Sequence, residues 1–193
     1  MSRIAGKKAV VTGGTHGMGL ATVRALIEAG AEVVLTGRNE RNVEQARSEL
    51  GGRAHVVRSD VSSMADIDAL RATVKERFGT IDFLHVNAGI SELGPFSEVS
   101  EATFDRIFAV NTKGAFFTAQ RLVPLIGKGG SIVFTTVTDA PASGNLSVYA
   151  ASKAAVRAFA QVMGAELVSK EIRVNTIGPR FHDTPTLGVA GLS

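Results

Sequence analysis

Cysteine is absent from the 193 residues, so the chain holds no disulfide framework, thiolate nucleophile or cysteine-ligated metal. Histidine is scarce: His16, His55, His85 and His182 are isolated singles with no H-x-x-x-H pairing, which argues against a structural metal. No apolar run approaches membrane-spanning length, and none precedes Gly6 as a signal peptide would require. Lysines and arginines give a formal net charge of only +3 and are scattered, so no dense basic run points to nucleic acid. What remains is 45% hydrophobic and 20% charged. That balance suits one globular domain over residues 1–193 with a substantial core, and it argues against disorder. The expectation is a soluble, cytoplasmic protein with no nucleic-acid or membrane partner.

Along the chain, short apolar runs alternate with helical stretches. Strands are expected at Lys7 to Thr12, Glu32 to Thr36, Ala54 to Arg58, Ile81 to Val86, Ser131 to Thr136 and Ile172 to Ile177. Helices are expected at Leu20 to Ala29, Glu40 to Leu50, from Ser62 or Ser63 to about Phe78, Glu101 to Ile126, and around Tyr149 to about Ser169. Strand–helix alternation implies right-handed βαβ units, hence an α/β fold with a doubly wound parallel sheet and helices on both faces.

Two stretches carry chemistry. Gly13-Gly14-Thr15-His16-Gly17-Met18-Gly19 follows the first strand and opens the first helix. Glycines there permit a tight turn and let a phosphate approach main-chain N–H groups at a helix start. The alternative is a purely structural turn. The second stretch is S-V-Y-A-A-S-K-A-A-V-R, in which Tyr149 and Lys153 lie four residues apart and share one face of a helix. A phenol titrates near pH ~10, and a neighbouring ammonium favours the phenolate, so such a pair can act as general acid and base. Y-x-x-x-K is a short pattern, and it also describes a buried tyrosine near a solvated lysine.

Thr12-Gly13…Gly17…Gly19, Asp60-Val61, Asn87-Ala88-Gly89, Asn111, Tyr149…Lys153, and Pro179 with Thr184 occur together and in this order. The set resembles the short-chain dehydrogenases/reductases, and the resemblance runs from Lys7 to about Pro185. It implies a Rossmann-like fold and an oxidoreductase that interconverts a ketone and a secondary alcohol by hydride transfer to or from a nicotinamide cofactor. By that resemblance Tyr149 is the acid/base. Lys153 lowers the phenol pKa and binds the nicotinamide ribose, and Asn111 holds a relay water. Gly13, Thr15, His16, Gly17, Met18, Gly19, Asp60, Val61, Asn87, Ala88, Gly89, Pro179 and Thr184 line the cofactor. A small-molecule carbonyl or alcohol is the implied substrate. The bland alternatives are a backbone-bonded asparagine at Asn111, a helix-start charge at Asp60 and a plain strand-ending turn at Asn87.

The chain departs from the family pattern in three places. The family's catalytic serine lies thirteen residues before the tyrosine, which here is Thr136, with Thr138 as its substitute. Threonine keeps the hydroxyl but adds a methyl that stiffens χ1. Arg180 replaces a glycine after Pro179, which makes nicotinamide placement less secure than dinucleotide binding, and His182 replaces an apolar residue. The chain also stops soon after Thr184, where the family continues, so its last helix–strand unit is expected to be missing; a natural short form and a shortened chain would look alike. These departures leave a second reading open, a dinucleotide-binding sensor or interaction protein with little turnover.

Gly37 and Arg38 close the second strand, where an acidic residue usually binds the ribose 2′-hydroxyl of NAD. With no carboxylate to repel a 2′-phosphate, and with Arg38 and His16 to meet it, NADP(H) is the expected preference, NAD(H) remaining usable. The alternative reading of Arg38 is a solvated loop residue. The alanines of the Tyr149 helix and Phe104, Phe108, Ala109, Phe116 and Phe117 before it exceed a single apolar stripe. One large intrachain core would account for them as well as a subunit contact would. The resemblance favours the contact, and with it a homodimer or homotetramer.

Overall fold

Six strands pair into one sheet. In a computed structural model that describes residues 4–137 and 144–179, these are β1 (Lys8–Thr12), β2 (Glu32–Gly37), β3 (Ala54–Arg58), β4 (Ile81–Val86), β5 (Ile126–Thr135) and β6 (Arg173–Ile177). The central β1 and β2 are apolar runs buried on both faces, whereas the edge strand β6 is largely exposed. Every pairing is parallel, and the spatial order is β3-β2-β1-β4-β5-β6. The order reverses between β1 and β4, and a crevice therefore opens at the carboxyl ends of these strands.

Helices cover both faces. Val10, Val34, Leu84, Ile132 and Phe134 pack with α3 (Met64–Phe78), α5 (Ala115–Leu122) and α6 (Ser147–Glu166). The alternate residues Ala9, Val11, Val33 and Leu35 pack with α1 (Gly17–Glu28) and α2 (Glu40–Leu50). Each large side chain so buried contributes roughly 1.5–3 kcal/mol. Asn39, Ser63 and Ser100 cap α2, α3 and α4 (Glu101–Phe108) through side-chain oxygens that accept a backbone N–H, each worth about 1 kcal/mol. At the start of α1, His16 makes no such bond.

Several expected boundaries move. The helix expected from Glu101 to Ile126 is three pieces: α4, a π-helical stretch over Ala109–Gly114, and α5, closed by a 3₁₀ turn at Val123–Leu125. β5 begins at Ile126 rather than at Ser131, because Gly127, Gly129 and Gly130 form an irregularity inside the strand instead of stopping the chain before it. α6 ends at Glu166, and a 3₁₀ turn at Val168–Lys170 follows. Thr138, Arg180, His182 and Thr184 lie outside the described residues.

Candidate active site

The glycine-rich turn is built around two positions that exclude a side chain. Gly13 has φ +64°, and a Cβ on it would stand 2.8 Å from the Ala88 Cα. A Cβ on Gly19 would come within 2.9 Å of the Gly13 carbonyl carbon and closer still to its oxygen. The turn therefore lies directly on Asn87 and Ala88. Gly14 N–H donates to Thr36 O at 2.8 Å, which ties the turn to β2. Thr15 is buried against the backbone of Gly37, whereas His16 and Met18 at the start of α1 are exposed. Bare backbone beside a helix start with no side-chain cap is the arrangement that suits a diphosphate.

Asn87 holds three strands together. Its amide N–H donates to Thr12 Oγ1 at 3.1 Å, and its side-chain Nδ2 donates to Gly13 O at 3.2 Å. Its Oδ1 accepts from Thr135 Oγ1 at 3.1 Å. Ala88 N–H also reaches Thr12 Oγ1, at 3.2 Å. Gly89, next in the chain, borders Lys153 and Asn111: a Cβ there would stand 3.0 Å from Lys153 Nζ and 3.2 Å from Asn111 Oδ1.

Asn111 lies in the π-helical stretch and is fully buried. Its Oδ1 accepts from Ile90 N at 2.8 Å, while Nδ2 donates to Ile90 O at 2.9 Å and to Ser152 Oγ at 3.0 Å. Ser152 Oγ in turn donates to Tyr149 O at 2.7 Å, so α6 is fixed to the Asn111 amide and through it to the segment after β4. One lone pair of Asn111 Oδ1 is left for a further donor. A π stretch inside a helix is a frequent mark of a functional site. Val61 packs its carbonyl against Gly114 at the end of the same stretch.

Tyr149 is the only tyrosine in the chain. Burial pushes its phenol above the ordinary value, the opposite of the expected depression by lysine. Lys153 is itself buried, with its Nζ donating to Thr135 O at 3.0 Å. Burial lowers the ammonium to about 8. Thr136 is buried and donates its hydroxyl to Ile177 O at 3.1 Å, so that proton is held in the seam between β5 and β6.

Around the cofactor end, Asp60 accepts from the Ser62 N–H at 2.9 Å and the Ser62 hydroxyl at 2.7 Å. Partial burial pushes its carboxyl up, but these bonds and the Arg38 guanidinium at 3.5 Å outweigh burial and hold it below the usual range. Arg38 thus faces a carboxylate after all, delivered from beyond β3 and not from the end of β2. Pro179 is half-buried just past β6. Sequence reasoning missed Thr135, Ser152 and His85, which bond to Lys153, Asn111 and Thr135 respectively, behind the site. The available signals were their adjacency to Thr136, Lys153 and Asn87 and, for His85, a polar ring inside an apolar strand.

A glycine-lined turn at a topological switch point, with a half-buried tyrosine and a buried lysine beside it, defines a nucleotide-dependent redox enzyme. Residues 7–190 match the model of the family described as short chain dehydrogenase, and the chain belongs to that family of NAD(P)-dependent oxidoreductases. It is 37% identical over 185 residues to the oxidoreductase asL5 of Sarocladium schorii, across 93% of this chain and 73% of that protein. It is 35% identical over 184 residues to versicolorin reductase 1 of Aspergillus parasiticus, across 92% and 70%. Among solved structures, a short chain dehydrogenase from Burkholderia cenocepacia in complex with NADP superposes with TM-score 0.89 at 31% identity, covering 95% of this chain and 78% of that one. A 3-ketoacyl-(acyl-carrier-protein) reductase from Brucella melitensis complexed with NADH gives TM-score 0.89 at 30% identity, covering 96% and 80%.

Proposed function

We propose that this enzyme interconverts a small ketone and the corresponding secondary alcohol, with a preference for NADP(H). The observation that carries the reading is the convergence of Lys153 and Asn111 on Gly89, with Tyr149 one helical turn from the lysine and fastened to the same network through Ser152. When bound, the nicotinamide supplies or accepts the hydride. Tyr149 then gives or takes the proton at the substrate oxygen. Lys153, drawn down to about 8, sits close enough to neutrality to exchange a proton with the tyrosine's surroundings. Asn111 holds the segment after β4 against α6, and its remaining lone pair suits a relay water. Thr136 serves the substrate oxygen by turning its hydroxyl away from the Ile177 carbonyl. An open cleft of about 110 Å³ lies between the segment after β4 and the start of α6, lined by Leu93, Val99, Ile107 and Val148 beside Glu92, Glu98, Thr103 and Asn145. It suits a substrate with an apolar body.

The cofactor preference rests on Arg38. Its side chain is 57% exposed at the end of β2, and Asp60 holds it only at 3.5 Å, so a 2′-phosphate can compete for it. Arg38→Glu is expected to shift the ratio of NADPH to NADH dissociation constants toward NADH by roughly thirtyfold or more, corresponding to about 2 kcal/mol. An unchanged ratio, measured by cofactor fluorescence, would overturn the preference. For assembly, Phe104 is 45% exposed and stacks on Phe108, and Ala151, Ala154 and Ala158 are exposed on α6. These small and aromatic surfaces support a two-fold homodimer or homotetramer across α4 and α6.

A further inference from the structure

His85 is the fifth residue of β4 and only 3% exposed. Its Nε2 lies 2.9 Å from Thr135 Oγ1. The directions of the bonds beyond it follow from elementary donor counting. Gly13 O can only accept, so the Asn87 group facing it is Nδ2, and Oδ1 faces Thr135. An amide oxygen can only accept, so the single Thr135 proton goes to Asn87. Thr135 must therefore accept from His85, and the imidazole carries its proton on Nε2. Three bonds run one way, from His85 through Thr135 and Asn87 to Gly13 O. His85 Nδ1 is buried and has no hydrogen-bond partner among the described residues. A proton there would find no acceptor, so the charged ring is disfavoured. Burial accordingly lowers the imidazole to about 4. Thr135 also gives its backbone carbonyl to Lys153 Nζ.

We propose that His85, as the neutral Nε2–H tautomer, is a positioning residue for the cofactor: it orients Thr135 so that Asn87 pins the carbonyl of Gly13 and sets the shape of the dinucleotide-binding turn. The proposal rests on the reading of that turn as the dinucleotide site. It assigns His85 no contact with substrate and no proton transfer; it acts through two other side chains.

The tautomer and the effect on binding are measured separately. In ¹⁵N-histidine-labelled wild-type protein, the resonances that disappear in His85→Gln are those of His85. They should show a neutral ring protonated at Nε2 at pH 7 and still neutral at pH 5.5. A ring protonated at Nδ1, or charged at pH 7, would overturn the proposal. Glutamine carries an N–H at about the reach of Nε2, and leucine carries none. His85→Leu is expected to raise the NADPH dissociation constant about tenfold, the size of one lost hydrogen bond, with turnover at saturating cofactor retained. His85→Gln is expected to stay within about threefold of wild type. Thr135→Val, which breaks the same chain one link further on, should match His85→Leu, and the double variant should be no worse than either. Equal affinity in wild type and His85→Leu would overturn the positioning role while leaving the site assignment intact. Failure of the wild type to bind NADPH or NADH would instead defeat the site reading, and the functional half of the proposal with it. If His85→Leu does not fold, the comparison of wild type with Thr135→Val and the tautomer measurement decide the matter.

Discussion

Tyr149 and Lys153 share a helix face, yet Lys153 is buried and Tyr149 half-buried, and that second fact governs their protonation. Burial raises the phenol and lowers the ammonium, so in the free protein each group is displaced toward its neutral form. Because Tyr149 is the only tyrosine and the chain has no tryptophan, phenolate absorbance reports this residue alone. The phenol of the free protein is expected to titrate above the ordinary value of 10.0, in line with the direction of the burial effect. Titration clearly below that value would mean that the lysine's charge, not burial, dominates the site. The Y-x-x-x-K spacing made the pair legible in the sequence. The partners of the pair were not, because Lys153 bonds to Thr135 O and Asn111 to Ser152 and Ile90, contacts that only the folded sheet brings together. Thr136 illustrates the same limit. Its position before the tyrosine is readable, whereas its bond to the Ile177 carbonyl depends on the pairing of β5 with β6.

At the scale of elements, the strand–helix order was readable because apolar runs, glycine stops and serine or asparagine caps agree with one another. The π stretch at Ala109–Gly114 was not. It differs from an α-helix by the insertion of a single residue, and its composition is ordinary for a helix. What it does is turn Asn111 inward to bond both the N–H and the carbonyl of Ile90. Asn111→Leu leaves both of those part-buried groups without their partner. It is expected to lower stability by about 2–4 kcal/mol and to reduce turnover together with it. Denaturant unfolding beside steady-state kinetics checks this; a variant as stable as wild type would show that the amide is not a structural tie. β5 was read short for a related reason. Glycines that look like a stop in sequence are absorbed by an irregularity in the pairing with β4.

For the molecule as a whole, the faces that matter are the crevice at the strand ends and the exposed side of α4 and α6. The long helix's phenylalanines divide between two uses. Phe116 packs edge-on against Phe159 inside the chain, whereas Phe104 keeps 45% of its surface exposed. Light scattering at micromolar concentration is expected to give at least a dimer, and Ala158→Glu to shift it toward monomer by placing an unpaired charge in the contact. A monomeric wild type would refute the assembly. The central claim is that Tyr149 transfers the proton in a nicotinamide-dependent carbonyl reduction. Its most direct test is the rate of NADPH oxidation across a panel of ketones, wild type beside Tyr149→Phe, with NADPH affinity measured on both. Turnover on at least one ketone is expected of the wild type, with a loss on the order of a thousandfold or more in the variant and an NADPH dissociation constant within about threefold. Turnover by Tyr149→Phe within tenfold of wild type, or none by the wild type on any ketone, would contradict that claim.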